Sequence, residues 1–156
     1  MQKDNDDPKA FVRRWFDEVW NKGREEAIDE MFAADGVAHG LPSEDGEPLR
    51  GAAGFKPLFR QFREAFPDME ITVDDAISEG DKVAARCTVR ASHRGDSLGY
   101  AATHQPTEFT GMTFARVRGG KIVEAWNNFD FMSMHQQLGA LTLRQGGDDA
   151  PERADS

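Results

Sequence analysis

An α+β domain is the fold class this sequence predicts, and three observations predict it. Apolar residues recur at helical spacing as far as Phe66 and then alternate with the two-residue period of strands from Met69 onward. Helices first and strands afterwards is the α+β order, and the strands read as an antiparallel sheet. The chain has 156 residues, which suits one domain when the commonest size is about 100–150. Hydrophobic residues make up 38% and phenylalanine occurs 11 times, enough for a core with an apolar pocket beside it.

Asp7-Pro8 is a helix start, with a side-chain acceptor at the cap and proline at the first helical position. Phe11, Trp15 and Val19, with Val12, Phe16 and Trp20, then form a wide apolar stripe that Gly23 ends. A second helix is expected over Arg24–Ala33, with Ala27, Ile28, Met31 and Phe32 on one face. Val37–His39 reads as a short strand before a loop rich in glycine, proline and acid. A third helix gathers Phe55, Leu58, Phe59, Phe62 and Phe66, with Pro57 expected in its first turn. Strands follow at Met69–Ser78, Lys82–His93, Phe109–Arg118 and Lys121–Asp130, and Met132–Leu138 reads as a short closing helix. The domain is thus expected over 8–143, between a disordered N-terminus (1–7) and a disordered acidic tail (144–156).

The net charge of −9 and the lack of any Lys/Arg run argue against nucleic acid as a partner. No apolar run reaches the roughly 18 residues of a membrane span, and the N-terminus does not resemble a signal peptide. Cys87 is alone, which excludes an internal disulfide and suits a reducing, cytoplasmic setting. Metal binding is not expected, since His39, His93, His104 and His135 have no i,i+4 pairing and there is no second cysteine. RGAAG before the third helix lacks the Lys-Ser/Thr of a phosphate-binding loop.

The segment GKIVEAWNNFD (Gly120–Asp130) places Trp126, Asn128 and Asp130 on one parity of a strand. A three-residue loop at Arg118–Gly120 sets even residues against even residues, whereas a two-residue loop at Gly119-Gly120 sets odd against even. In the first register Thr110, Met112, Phe114 and Arg116 share a face with Glu124, Trp126, Asn128 and Asp130. Large apolar groups with a few placed polar ones are the composition of a ligand pocket. A carboxylate held among aromatic rings has a raised pKa and serves as an acid or base near neutral pH. The competing reading of Asp130 is a cap for the helix that begins at Phe131.

The run FTGMTFARVRGGKIVEAWNNFD, followed by HQQLGAL, resembles the end of SnoaL-like polyketide cyclases, or ester cyclases, of the NTF2-like superfamily. VRRWFDEVWNKG, VAHG, LRGAAGFKPLF, AFPDMEITV and ISEGDKVAARCTVRASHRG agree in order, so the resemblance covers about residues 8–143. It implies a cone: a curved antiparallel sheet wrapped around three N-terminal helices, with an internal pocket. It also implies a cofactor-free lyase- or isomerase-type reaction on a polyketide-like ester, a small hydrophobic carbonyl compound. In that reaction the catalytic residue Asp130 enolises the substrate and an intramolecular aldol attack closes a ring. Asn128, Arg116 and Arg86 are expected to hold the enolate oxygen, and His39 and His93 to lie near the pocket mouth. Trp15, Phe59, Met112, Phe114 and Trp126 complete the expected substrate-binding set, and a homodimer packed through the outer side of the sheet is implied. Where the family carries a Pro-Pro-Thr-Gly loop, this chain has Ala101-Ala102-Thr103-His104, which implies a more mobile loop and a different substrate. The alternatives are a non-catalytic ligand-binding protein and a small hydrolase or isomerase using the same Asp.

Overall fold

A computed structural model describes residues 7–141; residues 1–6 of the expected N-terminal tail (1–7), residues 142–143 of the expected domain and the expected tail 144–156 lie outside the described residues. Helix α1 (Pro8–Trp15) starts where Asp7 accepts the Lys9 amide at 3.0 Å, with Pro8 in the first turn. It widens into a π-helical segment, Phe16–Asn21, marked by the Lys22 amide reaching back five residues to the Asp17 carbonyl at 2.8 Å. Phe11, Val12, Trp15, Phe16, Val19 and Trp20 are all buried along this element.

Helix α2 (Glu25–Met31) is shorter than expected, because Phe32 already turns extended. Strand β1 therefore runs from Phe32 to His39, beginning five residues before the strand expected at Val37. After the two-residue β2 (Leu49–Arg50), helix α3 spans Gly51–Ala65. It begins four residues ahead of Phe55, so Pro57 sits in the second turn rather than the first. Gly51 has φ +72, and a Cβ there would lie 2.4 Å from the Ala34 carbonyl oxygen, so glycine is what lets the helix start against β1. Phe55 meets Trp15 edge-on at 5.4 Å, and Phe59 meets Trp20 at 5.5 Å. Burying each such ring stabilises the fold by about 1.5–3 kcal/mol, and this aromatic layer is the centre of the core.

Strands β3 (Glu70–Glu79), β4 (Lys82–Ser92), β5 (Pro106–Arg118) and β6 (Lys121–Phe129) complete a six-stranded open sheet in the order β2-β1-β6-β5-β4-β3. All neighbours are antiparallel except β1 and β6, which run parallel, so the sheet is mixed. Helix α4 (Phe131–Gln137) closes the described chain.

The β5–β6 hairpin has the expected pairing by a different route. Gly119 (φ +59) and Gly120 (φ +75) form a two-residue turn, with Arg118 opposite Lys121 and Val117 opposite Ile122. A bulge then inserts one extra residue in β6, so that Arg116 faces Glu124, Phe114 faces Trp126 and Met112 faces Asn128. Even residues pair with even ones because of the bulge, not because of a longer turn.

Candidate functional site: an apolar cavity under the sheet

Alternation along β5 and β6 decides which side chains look toward the helices. Phe109, Gly111, Thr113 and Ala115 are buried, as are Ile122 and Ala125, whereas the even positions of β5 from Pro106 to Phe114 are exposed. A cavity lies between this odd face and the helices. Val12, Trp15, Phe16 and Trp20 line it from α1 and its π segment, and Phe55, Leu58 and Phe62 from α3. The sheet supplies Val89, Phe109, Ala115, Ile122 and Ala125, among others. Four wall residues are half-buried and so stand at the mouth: Leu41, Asn127, Phe129 and Phe131.

The empty space, counted to the open mouth, is about 740 Å³, but only about 70 Å³ can hold the centre of a water molecule. The cavity is therefore narrow, with aromatic walls close together. Its wall has two polar side chains, Thr113 and Asn127, and no Asp, Glu, Lys, Arg or His. The Thr113 hydroxyl donates to Asn127 Oδ1 at 2.7 Å, and Asn127 Nδ2 donates to the His39 carbonyl at 2.9 Å. Both bonds are local, and the other donors among the wall's side chains are the indole N–H groups of Trp15 and Trp20.

Of the expected site residues, only Trp15 lines this cavity. Phe59 is buried in the core behind it, against Trp20. The expectation that the even face looks into the pocket is corrected: that face is the outer side of the sheet. Met112 is 58% exposed, Phe114 43% and Trp126 36%, and Asn128 is exposed beside them. Arg86 stands opposite Met112 on the same outer side, and Arg116 lies opposite Glu124 there. His39 is also outside, stacked on Trp126 at 5.4 Å, with its Nε2 2.7 Å from Glu124 Oε2. Bulk does not mark the cavity face in the sequence, because Gly111, Thr113, Ala115 and Ala125 are small and much of the bulk that encloses the cavity comes from the helices opposite.

Asp130 follows β6, between the mouth residues Phe129 and Phe131, but its side chain is exposed and Oδ1 accepts the Ser133 amide at 3.0 Å. It is the N-cap of α4, not a carboxylate enclosed by aromatic rings. His93 is fully buried away from the cavity, with Nδ1 accepting the Thr103 amide at 3.1 Å. Burial pushes the Cys87 thiol up to about 12, so it is no nucleophile at neutral pH. Among the described residues no group of three or more His, Cys, Asp or Glu is placed to hold a metal ion, and no helix is long and apolar enough to cross a membrane.

An open sheet curled over helices around an apolar cavity defines an NTF2-like domain. A family model described as SnoaL-like polyketide cyclase matches residues 10–138, and the chain belongs to that family. Among solved structures, IdmH from Streptomyces antibioticus, a candidate polyketide cyclase, is 35% identical with a TM-score of 0.74, over 85% of this chain and 98% of its own. A candidate polyketide cyclase from Bacillus cereus is 26% identical with a TM-score of 0.72, over 86% of this chain and 82% of its own. AclR from Streptomyces galilaeus, a candidate hydroxylase, is 27% identical with a TM-score of 0.73, over 86% of this chain and 97% of its own. No curated protein sequence matches the chain.

Proposed function

We propose that this protein is a cofactor-free cyclase of a small, largely hydrocarbon carbonyl compound of the polyketide-ester class. The observation that carries the reading is the apolar cavity, in a chain whose family is that of such cyclases. A narrow aromatic-walled space folds a flexible chain so that its reacting carbons meet, which supplies much of the rate. In the reaction a base removes a proton from a carbon flanked by two carbonyls. The enolate carbon attacks a second carbonyl carbon, a carbon–carbon bond closes the ring, and the resulting alkoxide takes a proton back.

Asp130 is the proposed base, acting from the rim. Its Oδ1 holds the cap, while Oδ2 accepts no hydrogen bond among the described residues, and the wall residues Phe129 and Phe131 flank it. A proton between two carbonyls is already acidic, so a carboxylate suffices to remove it. The test is exchange of the α-protons of ethyl benzoylacetate into deuterated solvent, followed by mass spectrometry. Asp130→Asn keeps the cap acceptor and loses the base, so exchange should fall at least 100-fold; unchanged exchange would reduce Asp130 to a cap.

A second reading, ligand binding without turnover, is favoured by one observation: the cavity wall itself contains no acid or base. We also propose that two copies pair through the outer face of the sheet, since Met112, Phe114 and Trp126 stand exposed there. A cytoplasmic setting fits the single, buried Cys87.

A further inference from the structure

We propose that Asn127 donates the hydrogen bond that receives the ligand's carbonyl oxygen, and that the cavity selects an uncharged ligand with that oxygen at the mouth. The inference deepens the cyclase reading, but its binding arm stands whether or not the ligand is turned over. Asn127 stands on the wall at the mouth, next in sequence to the expected Asn128 and on the opposite face of β6.

The amide is held at both ends. Nδ2 lies 2.9 Å from the His39 carbonyl oxygen, and Oδ1 lies 2.7 Å from the Thr113 hydroxyl. Turning the amide over would set two oxygen acceptors against each other at His39, so its orientation is fixed by that carbonyl. One of the two Nδ2 protons is used, and the other has no partner among the described residues. A pinned donor at the edge of an apolar wall gives a carbonyl a place to dock without reorganisation. If the ligand enolises, the same proton meets the negative charge that grows on that oxygen.

The wall also says what is kept out. With no Lys, Arg or His in it, a carboxylate entering the cavity would lose its water and find no opposite charge. A ketone or ester loses far less. Ethylbenzene, acetophenone and benzoate are close in size; the first two differ by a carbonyl oxygen and the last two by a charge, so they separate the contributions.

The experiment is an NMR titration of the full chain with each of the three probes. Acetophenone should bind at least tenfold more tightly than benzoate, and it should move the Asn127 side-chain Nδ2 proton downfield while ethylbenzene does not. Asn127→Leu, close in shape but without the donor, should weaken acetophenone about fivefold and leave ethylbenzene within twofold. Benzoate binding as tightly as acetophenone overturns the inference, and so does an Asn127→Leu variant that holds acetophenone unchanged. Should that variant not fold, the comparison of the three probes and the Nδ2 shift in the unaltered protein decide. Failure of α-proton exchange would overturn the cyclase reading while leaving these binding differences in place.

Discussion

At the scale of single residues, the two faces of the β5–β6 hairpin differ in bulk, and the outer one carries Met112, Phe114 and Trp126. Parity sets Phe114 against Trp126 and Met112 against Asn128 only for a three-residue turn, and the bulge after the two-residue turn restores those pairs. In sequence the larger and more aromatic face reads as the pocket, whereas the cavity side carries Gly111, Thr113, Ala115 and Ala125. Small residues are needed there because Trp15, Phe55 and Phe62 project toward them from the helices. Gly111 shows how tight the fit is: a Cβ would lie 2.1 Å from the Phe129 ring. Gly111→Ala should therefore destabilise the fold by about 1–3 kcal/mol and displace a residue of the cavity mouth, measurable by urea unfolding and ligand titration. Asp130→Ala should cost about 1 kcal/mol through the lost helix cap, while Asp130→Asn should cost little. Comparing the two by thermal unfolding separates the structural part of Asp130 from any chemical one.

At the scale of elements, every expected helix and strand exists, and the differences lie at ends and interruptions. The π segment was not legible, since six residues are too few to reveal a changed period. The loop that carries Ala101-Ala102-Thr103-His104 is expected from its sequence to be more mobile for want of prolines; it and its flanks, from His93 to Gln105, are fastened at several points. The His93 backbone pairs with Gln105 and His104, and the Tyr100 hydroxyl lies 2.7 Å from His135 Nδ1 on α4. Ser97 bonds the Gln61 carbonyl at 2.6 Å and the Glu64 carboxylate at 3.0 Å, tying the loop to α3. Burial, and then the neighbouring His93, lower the His135 pKa below its ordinary 6.5. A histidine with a depressed folded pKa is charged more readily in the unfolded chain. Stability is therefore full above about pH 6.5 and declines as pH falls from there toward the folded pKa. Urea midpoints across that range should show this slope, and His135→Gln should flatten it. Tyr100→Phe should cost about 0.5–1.5 kcal/mol if the hydroxyl contact carries ordinary hydrogen-bond weight.

At the scale of the whole molecule, the sheet separates two environments: a narrow apolar space inside and an aromatic patch outside. The fold was legible over nearly all of the matched span, because the ordered segments of a family survive where no single motif is decisive. The parallel β1–β6 pair was not, as nothing local marks strands joined across most of the chain. If the outer patch joins two copies, Phe114→Glu should shift the protein to a smaller species in sedimentation without altering ligand binding. Conversely, Ala125→Leu, which fills the interior, should abolish acetophenone binding and leave sedimentation unchanged. The two faces are one strand apart in thickness, and these variants test that they act separately.

The extra residue in β6 near Val123 assigns the two faces their occupants. Carrying the turn's own pairing past Val123 without the bulge would set Trp126 opposite Thr113, swinging it and Asn128 toward the helices and Ala125, Asn127 and Phe129 into water. Removing Val123 altogether would leave Phe114 opposite Trp126 and both faces as they are. The bulge therefore takes up one residue of slack between a tight glycine turn and the alignment that keeps the interior lined with small side chains.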